Sequence, residues 1–127
     1  MIDSKTAEYA LGVLSDVFER CSKSDLKEKL SAAVELGKKI TAGETTAADE
    51  LYDHIDNEDD SFSIMQEQTE NKAEKAVLDC IIYASAILVR YAYEKDCRKY
   101  FPEPIELVDE STVDALKCAV SKISGLS

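Results

Sequence analysis

The chain has 127 residues, a hydrophobic fraction of 45% and a formal net charge of −11. This length fits one domain with a single core, spanning residues 1–127, and this hydrophobic fraction argues against general disorder. Nucleic acids and anionic membranes are polyanions, so we expect neither to be a partner of so acidic a chain.

The small number of turn-forming residues favours helices over strands. The chain holds only four glycines and two prolines, which suits a few long elements better than many short strands. We therefore predict an all-α fold, an irregular bundle of five or six helices around a long central apolar helix.

The first half of the chain predicts three helices. Apolar residues at steps of three and four predict a first helix over residues 4–21, followed by a second that Ser24 caps and Gly43 ends. A third helix, over residues 47–57, is expected to be capped by Thr45 or Thr46. A short helical turn is possible between residues 57 and 71, anchored by apolar side chains: Phe62, Ile64 and Met65.

The second half predicts the central helix and a last one. Residues from about 70 to 96 are apolar nearly all round between 76 and 92, as expected of a helix with neighbours on most sides. In the loop that follows, Pro102 and Pro104 are expected to hold Glu103 extended. Ser111 or Thr112 is then expected to cap a final helix ending at Gly125.

Several observations predict a cytoplasmic protein. The chain begins without a basic, apolar leader, and no run of about 18 apolar residues indicates a membrane span. The cysteines are far apart, so neither a disulfide framework nor a metal site is expected. We expect Cys21, Cys80 and Cys118 to be core residues and Cys97 to be more exposed.

Catalysis and cofactor binding find no support in the sequence. The one histidine, His54, lies among acids with no nucleophile nearby, and the glycines are too scattered for a phosphate-binding loop. We therefore predict that the chain is not an enzyme and binds no cofactor.

A calcium-binding loop is an alternative reading of residues 56–67. Acids fall at positions one, three, five and twelve of a twelve-residue loop, which match ligand positions of an EF-hand. Position six, where a glycine is expected, is Ser61. The alternative function is therefore a calcium-responsive helical regulator.

The acidic residues are concentrated in two segments that contain no Lys or Arg. Residues 40–71 hold ten acids and residues 102–116 hold five. A solvated surface is one interpretation, but acids added for solubility alone would be mixed with bases. A local negative field instead favours a basic protein partner, whose association it would steer.

Three aromatic residues lie in polar or acidic loops. Phe62, Tyr100 and Phe101 are interpreted either as caps on the ends of the bundle or as apolar residues at the centre of a charged interface.

The layout resembles a known class of proteins. A helical hairpin followed by "ELYDHIDNEDD", a long "AEKAVLDCIIYASAILVRYAY" and "FPEPIELVDESTVDAL" before the last helix is similar to the helical immunity proteins of bacterial polymorphic-toxin and contact-dependent growth inhibition systems. This resemblance implies a protein that binds one cognate toxin, often a nuclease with a basic substrate channel, and blocks it.

The charge pattern supplies the candidate binding residues. We predict an immunity protein whose acids cover the basic cleft of a toxin, with a packed centre providing the tightness of binding. An inert helical adaptor is the remaining alternative. The predicted toxin-binding residues are Asp49, Asp53, Asp56, Glu58, Asp59, Asp60, Phe62, Phe101, Glu103, Glu106, Asp109 and Glu110.

Overall fold

The computed structural model describes residues 2–21, 24–56 and 61–124, and this part of the chain is helical with no strand. The prediction of an all-α fold is confirmed. The described residues form seven helices rather than the five or six predicted: α1 (Ser4–Arg20), α2 (Ser24–Thr41), α3 (Ala47–Ile55), α4 (Phe62–Gln68), α5 (Lys72–Lys95), α6 (Glu103–Glu106) and α7 (Glu110–Ser124).

Helix α5 lies at the centre and packs against each of the other six helices. By length and composition alone it could cross a membrane, although Asp79 and Arg90 interrupt its apolar residues. Its apolar surface is used inside the bundle, because 72% of the most apolar window is buried. The predicted central helix is therefore confirmed.

Helices α1 and α2 form the predicted hairpin and lie against α5. Leu14 of α1 and Leu30 of α2 are fully buried, as their apolar stripes indicate. The helices approach closely at Gly37, where an added Cβ would lie 2.9 Å from Leu11 Cδ1 and 3.1 Å from Leu88 Cδ1. A glycine thus allows three helices to meet at one point.

Helix α3 buries the side that the sequence predicts, while its start differs from the prediction. Ala48, Leu51 and Ile55 are buried. Thr46 occupies the cap position, but its side chain makes no capping hydrogen bond. The Thr45 hydroxyl instead donates to Asp96 Oδ1 at 2.5 Å, so it joins α3 to the end of α5.

The segment predicted as an extended loop contains the short helix α6. Pro102 is its cap residue and Pro104 lies in its first turn, so Glu103 is helical rather than extended. Proline suits these positions because its fixed φ matches the helix and the amide hydrogen it lacks would have no helical acceptor. The buried side chain of Ile105 attaches α6 to the core.

Helix α7 begins earlier than predicted. The Asp109 carboxylate accepts the backbone N–H of Ser111 at 2.9 Å, so Asp109 takes the capping role assigned to Ser111 or Thr112. Cys118 is exposed on α7, which corrects its assignment to the core. Gly125, the predicted end of the helix, lies outside the described residues.

Candidate interaction surface

The acidic side chains of α3 face solvent, on the side opposite its buried residues. Asp49, Asp53 and Asp56 are all exposed. The predicted binding residues Glu58, Asp59 and Asp60 lie outside the described residues. Exposed carboxylates at this spacing repel one another weakly unless a cation lies nearby.

The acidic residues between α5 and α7 are also exposed: Glu103, Glu106, Asp109 and Glu110. Asp109 has a structural role as well, since its cap hydrogen bonds hold its pKa below the ordinary value, first through the Ser111 hydroxyl and then through the Ser111 backbone N–H. The other three carboxylates belong to α6 and the first turn of α7.

Two arginines and two aromatic rings form a stack at the C-terminal end of α5, hereafter the arginine–aromatic stack. Arg98 Cζ lies 4.1 Å from the centre of the Tyr93 ring, and Arg90 Cζ lies 4.3 Å from that of Phe101. The two rings are stacked with centroids 5.9 Å apart and planes 7° apart. Cations over aromatic faces are attracted to the ring quadrupole, so each arginine stabilises the ring that it covers.

Asp49 binds to this stack. Its carboxylate accepts a hydrogen bond from the Tyr93 hydroxyl at 2.6 Å and forms an ion pair with Arg98 at 3.1 Å. Burial of the ring, followed by the Asp49 hydrogen bond, raises the pKa of Tyr93 to about 12. One carboxylate of the first acidic segment is therefore compensated by a cation that lies far along the chain.

Arg90 connects the stack to α6. Its guanidinium donates to the backbone oxygens of Ile105 at 3.4 Å and Glu106 at 3.3 Å, and it pairs with Glu94 at 3.6 Å. Asp49 and α6 are thus held at the same end of α5, on either side of the Tyr93–Phe101 pair.

The chain reverses at the end of α5 through a turn that the sequence does not signal. Cys97 has φ of 55°, a left-handed conformation that glycine usually supplies. The turn places Arg98 over Tyr93 and brings Phe101 back against the same ring. Sequence reasoning missed Arg90 and Arg98 because their role depends on this tertiary arrangement.

The aromatic predictions have mixed outcomes. Phe62 is completely buried, so its ring is not exposed as the assignment to the toxin-binding residues requires: a ring flanked by polar residues enters the core because Ser61 starts α4 there. Phe101 is half-buried in the stack. Tyr100, by contrast, is 87% exposed, and Leu107, which the sequence analysis did not select, is 69% exposed.

A comparison with protein-family models matches residues 5–125 to the family described as Immunity protein Imm6. The chain belongs to this family. The resemblance drawn from the sequence is confirmed, and Imm6 membership implies a bacterial toxin as the partner. Comparisons with curated proteins and with solved structures gave no match.

The calcium-loop reading conflicts with the geometry of this Imm6 protein over the residues that the structure describes. Ser61, position six of the loop, caps α4 by accepting the Ile64 N–H at 3.2 Å. Positions seven to twelve then belong to the helix Phe62–Gln68. Helical backbone oxygens point along the helix axis, whereas an EF-hand loop turns its position-seven oxygen towards the ion.

Proposed function

We propose that this Imm6 protein binds a cognate toxin with its acidic surface and blocks the toxin's active site without catalysis. The toxin is a nuclease with a basic cleft, delivered by a polymorphic-toxin or contact-dependent growth inhibition system, and the immunity protein meets it in the cytoplasm. The observation that supports this proposal is the exposure of carboxylates in both acidic segments, at Asp53 and Asp56 in the first and at Glu103 and Glu106 on α6.

The chemistry of carboxylates supports this choice of partner. A nuclease cleft holds phosphate groups with Lys and Arg, and carboxylates present similar oxygen acceptors to those cations. Exposed acids raise the rate of encounter with a basic surface and repel nucleic acid. The acidic face can therefore occupy the cleft while the substrate is kept away.

Titration of the toxin's nuclease activity tests this function. The probe is the C-terminal domain of the toxin encoded next to the gene for this chain. We expect activity to fall in proportion to added immunity protein and to vanish at one molecule per toxin. Complete inactivation at a small fraction of equivalence would indicate an enzyme and contradict the proposal.

A competition experiment separates occlusion of the active site from binding elsewhere on the toxin. A non-cleavable oligonucleotide at saturating concentration should weaken binding of the immunity protein, because both ligands need the same cleft. Unchanged affinity would place the contact outside the active site.

A further inference from the structure

We propose that Tyr100 and Leu107 form the apolar centre of the surface that docks the toxin, with the acids of α6 and the start of α7 as its rim. This inference rests on the proposed function and names the part of the molecule that would supply the tightness of binding. The segment that carries both residues, 98–110, is called the docking segment.

The exposure of these side chains is the first argument. Tyr100 is 87% exposed and Leu107 is 69% exposed, whereas Tyr9, the other exposed large hydrophobic side chain of the described residues, is only 38% exposed. Leaving such groups in water forgoes the favourable free energy that burial of their apolar surface would release. Each is the chain neighbour of a residue that contacts Arg90, because Phe101 packs against its guanidinium and the Glu106 carbonyl accepts a hydrogen bond from it, so one partner surface can cover them.

The rigidity of the segment is the second argument. Arg98 is held by Asp49, and Phe101 is held between Tyr93 and Arg90, so Tyr100 lies between two fixed neighbours. Exposed side chains on a fixed backbone lose less conformational entropy when a partner covers them, which favours affinity.

Leu107 is fixed in the same way. Its neighbours Ile105 and Val108 are buried, and Arg90 donates to the backbone oxygens of residues 105 and 106. The backbone is therefore anchored on both sides of Leu107 while its side chain points away from the core. Tyrosine and other large apolar groups on a firm support are typical of the residues that dominate binding energy.

The rim defines the chemistry of the partner. The side chains of Glu103, Glu106 and Glu110 are exposed, and all three residues lie close to Tyr100 or Leu107 in the sequence. A cavity of about 350 Å³ at the start of α7 is lined by Asp109, Glu110 and the Arg90–Glu94 pair, together with Ile2, Val108 and Ser111, so carboxylates outnumber the single arginine. Such a cavity fits the end of a lysine or arginine side chain. The partner is therefore a protein surface with an apolar patch surrounded by bases.

A second copy of this chain is a poor occupant. It would bring its own acidic rim against this one, and like charges across an interface are strongly unfavourable. Nucleic acid is excluded by the same repulsion. A basic toxin domain satisfies both the apolar centre and the charged rim.

The experiment compares two variants of the full chain. Tyr100→Ala/Leu107→Ala removes the apolar centre, and Tyr9→Ala removes an exposed tyrosine from α1 as a matched control. Calorimetry with the toxin's C-terminal domain should show the dissociation constant of the double variant rising by about 30-fold or more, as for residues that dominate an interface. The control should stay within about threefold of the unchanged chain, and both should melt like it because these side chains lie outside the core.

A charge-reversal pair tests the rim. Glu103→Lys/Glu106→Lys should slow association, whereas Glu8→Lys/Glu19→Lys on α1 should slow it less, although both pairs change the net charge equally. Equal slowing by the two pairs would mean that only the total charge matters and would overturn the assignment of the rim.

The outcomes separate this inference from the proposed function. If the unchanged chain neither binds nor inhibits the toxin domain, the proposed function fails. If it does both and Tyr100→Ala/Leu107→Ala binds as tightly, the docking surface is wrong while the function stands. Sedimentation tests for self-association. If the unchanged chain is a dimer, and Tyr100→Ala/Leu107→Ala is a monomer with unchanged affinity for the toxin, the patch is a self-association site and the docking surface is wrong.

Discussion

At the scale of single residues, two helices end in the same hydrogen-bond pattern with different residues at the turn. After α2, Gly43 N–H bonds to Ile40 O at 3.1 Å and the next N–H bonds back to Lys39 O. After α5, Cys97 N–H bonds to Glu94 O at 3.1 Å, and the next N–H bonds back in the same way. Both turning residues have positive φ, 107° at the glycine and 55° at the cysteine. The cysteine pays a steric penalty that the glycine avoids.

Exchanging these residues should therefore change stability in opposite directions. Cys97→Gly should raise the free energy of unfolding by about 1 kcal/mol, because relief of the left-handed strain exceeds the added entropy of the unfolded chain. Gly43→Ala should lower it by about the same amount. Urea denaturation measures both, and Cys97→Ala controls for loss of the thiol. If Cys97→Ala stabilises as much as Cys97→Gly, the conformational explanation is wrong.

Tyr93 gives the protein a distinct response to alkaline pH. Burial and the Asp49 hydrogen bond raise its pKa from 10.0 to about 12, so the folded state holds the phenolic proton more tightly than the unfolded state. The stability contributed by this proton is complete below about pH 10 and is lost as the pH rises to about 12.

Tyr93→Phe isolates this effect, since it keeps a ring in the stack and removes the titrating group. At pH 7 the variant should be less stable by about 1 kcal/mol, because a hydrogen bond to a carboxylate is lost. The difference should shrink as the pH rises above 10. Denaturation midpoints of both proteins across this range provide the measurement, and a difference independent of pH would contradict the assignment.

At the scale of helices, the N-termini differ in whether a side chain accepts hydrogen bonds from their first backbone N–H groups. Asn71 caps α5 by accepting from Ala73 N at 2.9 Å and Glu74 N at 3.1 Å, and Asp3 caps α1 through Thr6 N at 2.8 Å. The Thr46 side chain makes no such bond at α3. The central helix therefore depends on a local cap in addition to its packing.

Removal of the α5 cap should lower the stability of the folded protein by a measurable amount. Asn71→Ala should destabilise the protein by about 1 kcal/mol, while Asn71→Asp should retain stability because a carboxylate accepts the same N–H groups and favours the helix dipole. Thr46→Ala, at a start without a cap bond, should change stability by less than about 0.5 kcal/mol. Thermal melts compare the three, and equal losses from Asn71→Ala and Thr46→Ala would contradict the capping role.

Helix prediction succeeded where apolar periodicity was long and failed where one turn depended on tertiary contacts. The apolar stripes of α1, α2 and α7 span several turns and indicate their own inner faces, and the nearly continuous apolar surface of α5 indicates its central position. Helix α6 has only four residues, and burial of Ile105 together with Arg90 bonds to its carbonyl groups stabilises it. No pattern within so short a segment predicts those contacts.

At the scale of the whole molecule, the net charge of −11 should govern how quickly a basic partner is found. The association rate with the toxin domain should fall by about tenfold or more between low and high salt, because ions screen the attraction over roughly 10 Å at 0.1 M. The dissociation rate, set by packed contacts, should change far less. Stopped-flow mixing tests this, and an association rate insensitive to salt would contradict electrostatic steering.

The candidate surface was only partly predictable from sequence. Composition indicated exposed acids on α3 and near α6, and the structure exposes Asp53 and Glu103. Composition alone could not show that Arg98 compensates Asp49 or that Phe62 enters the core. Both outcomes depend on which distant residues the fold brings together, and that depends on the turn at Cys97 and on packing around α5.

The central position of α5 also affects how the protein is made. Helices α1 to α4 leave the ribosome before α5, and until it follows they can bury only the surfaces that they offer to one another. Translation proceeds at about 5–20 residues per second, so the nascent chain spends several seconds with apolar stripes open to water. The core can therefore form only after translation has passed Lys95, the last residue of α5. A cell exposed to the toxin obtains a folded immunity protein only after that point.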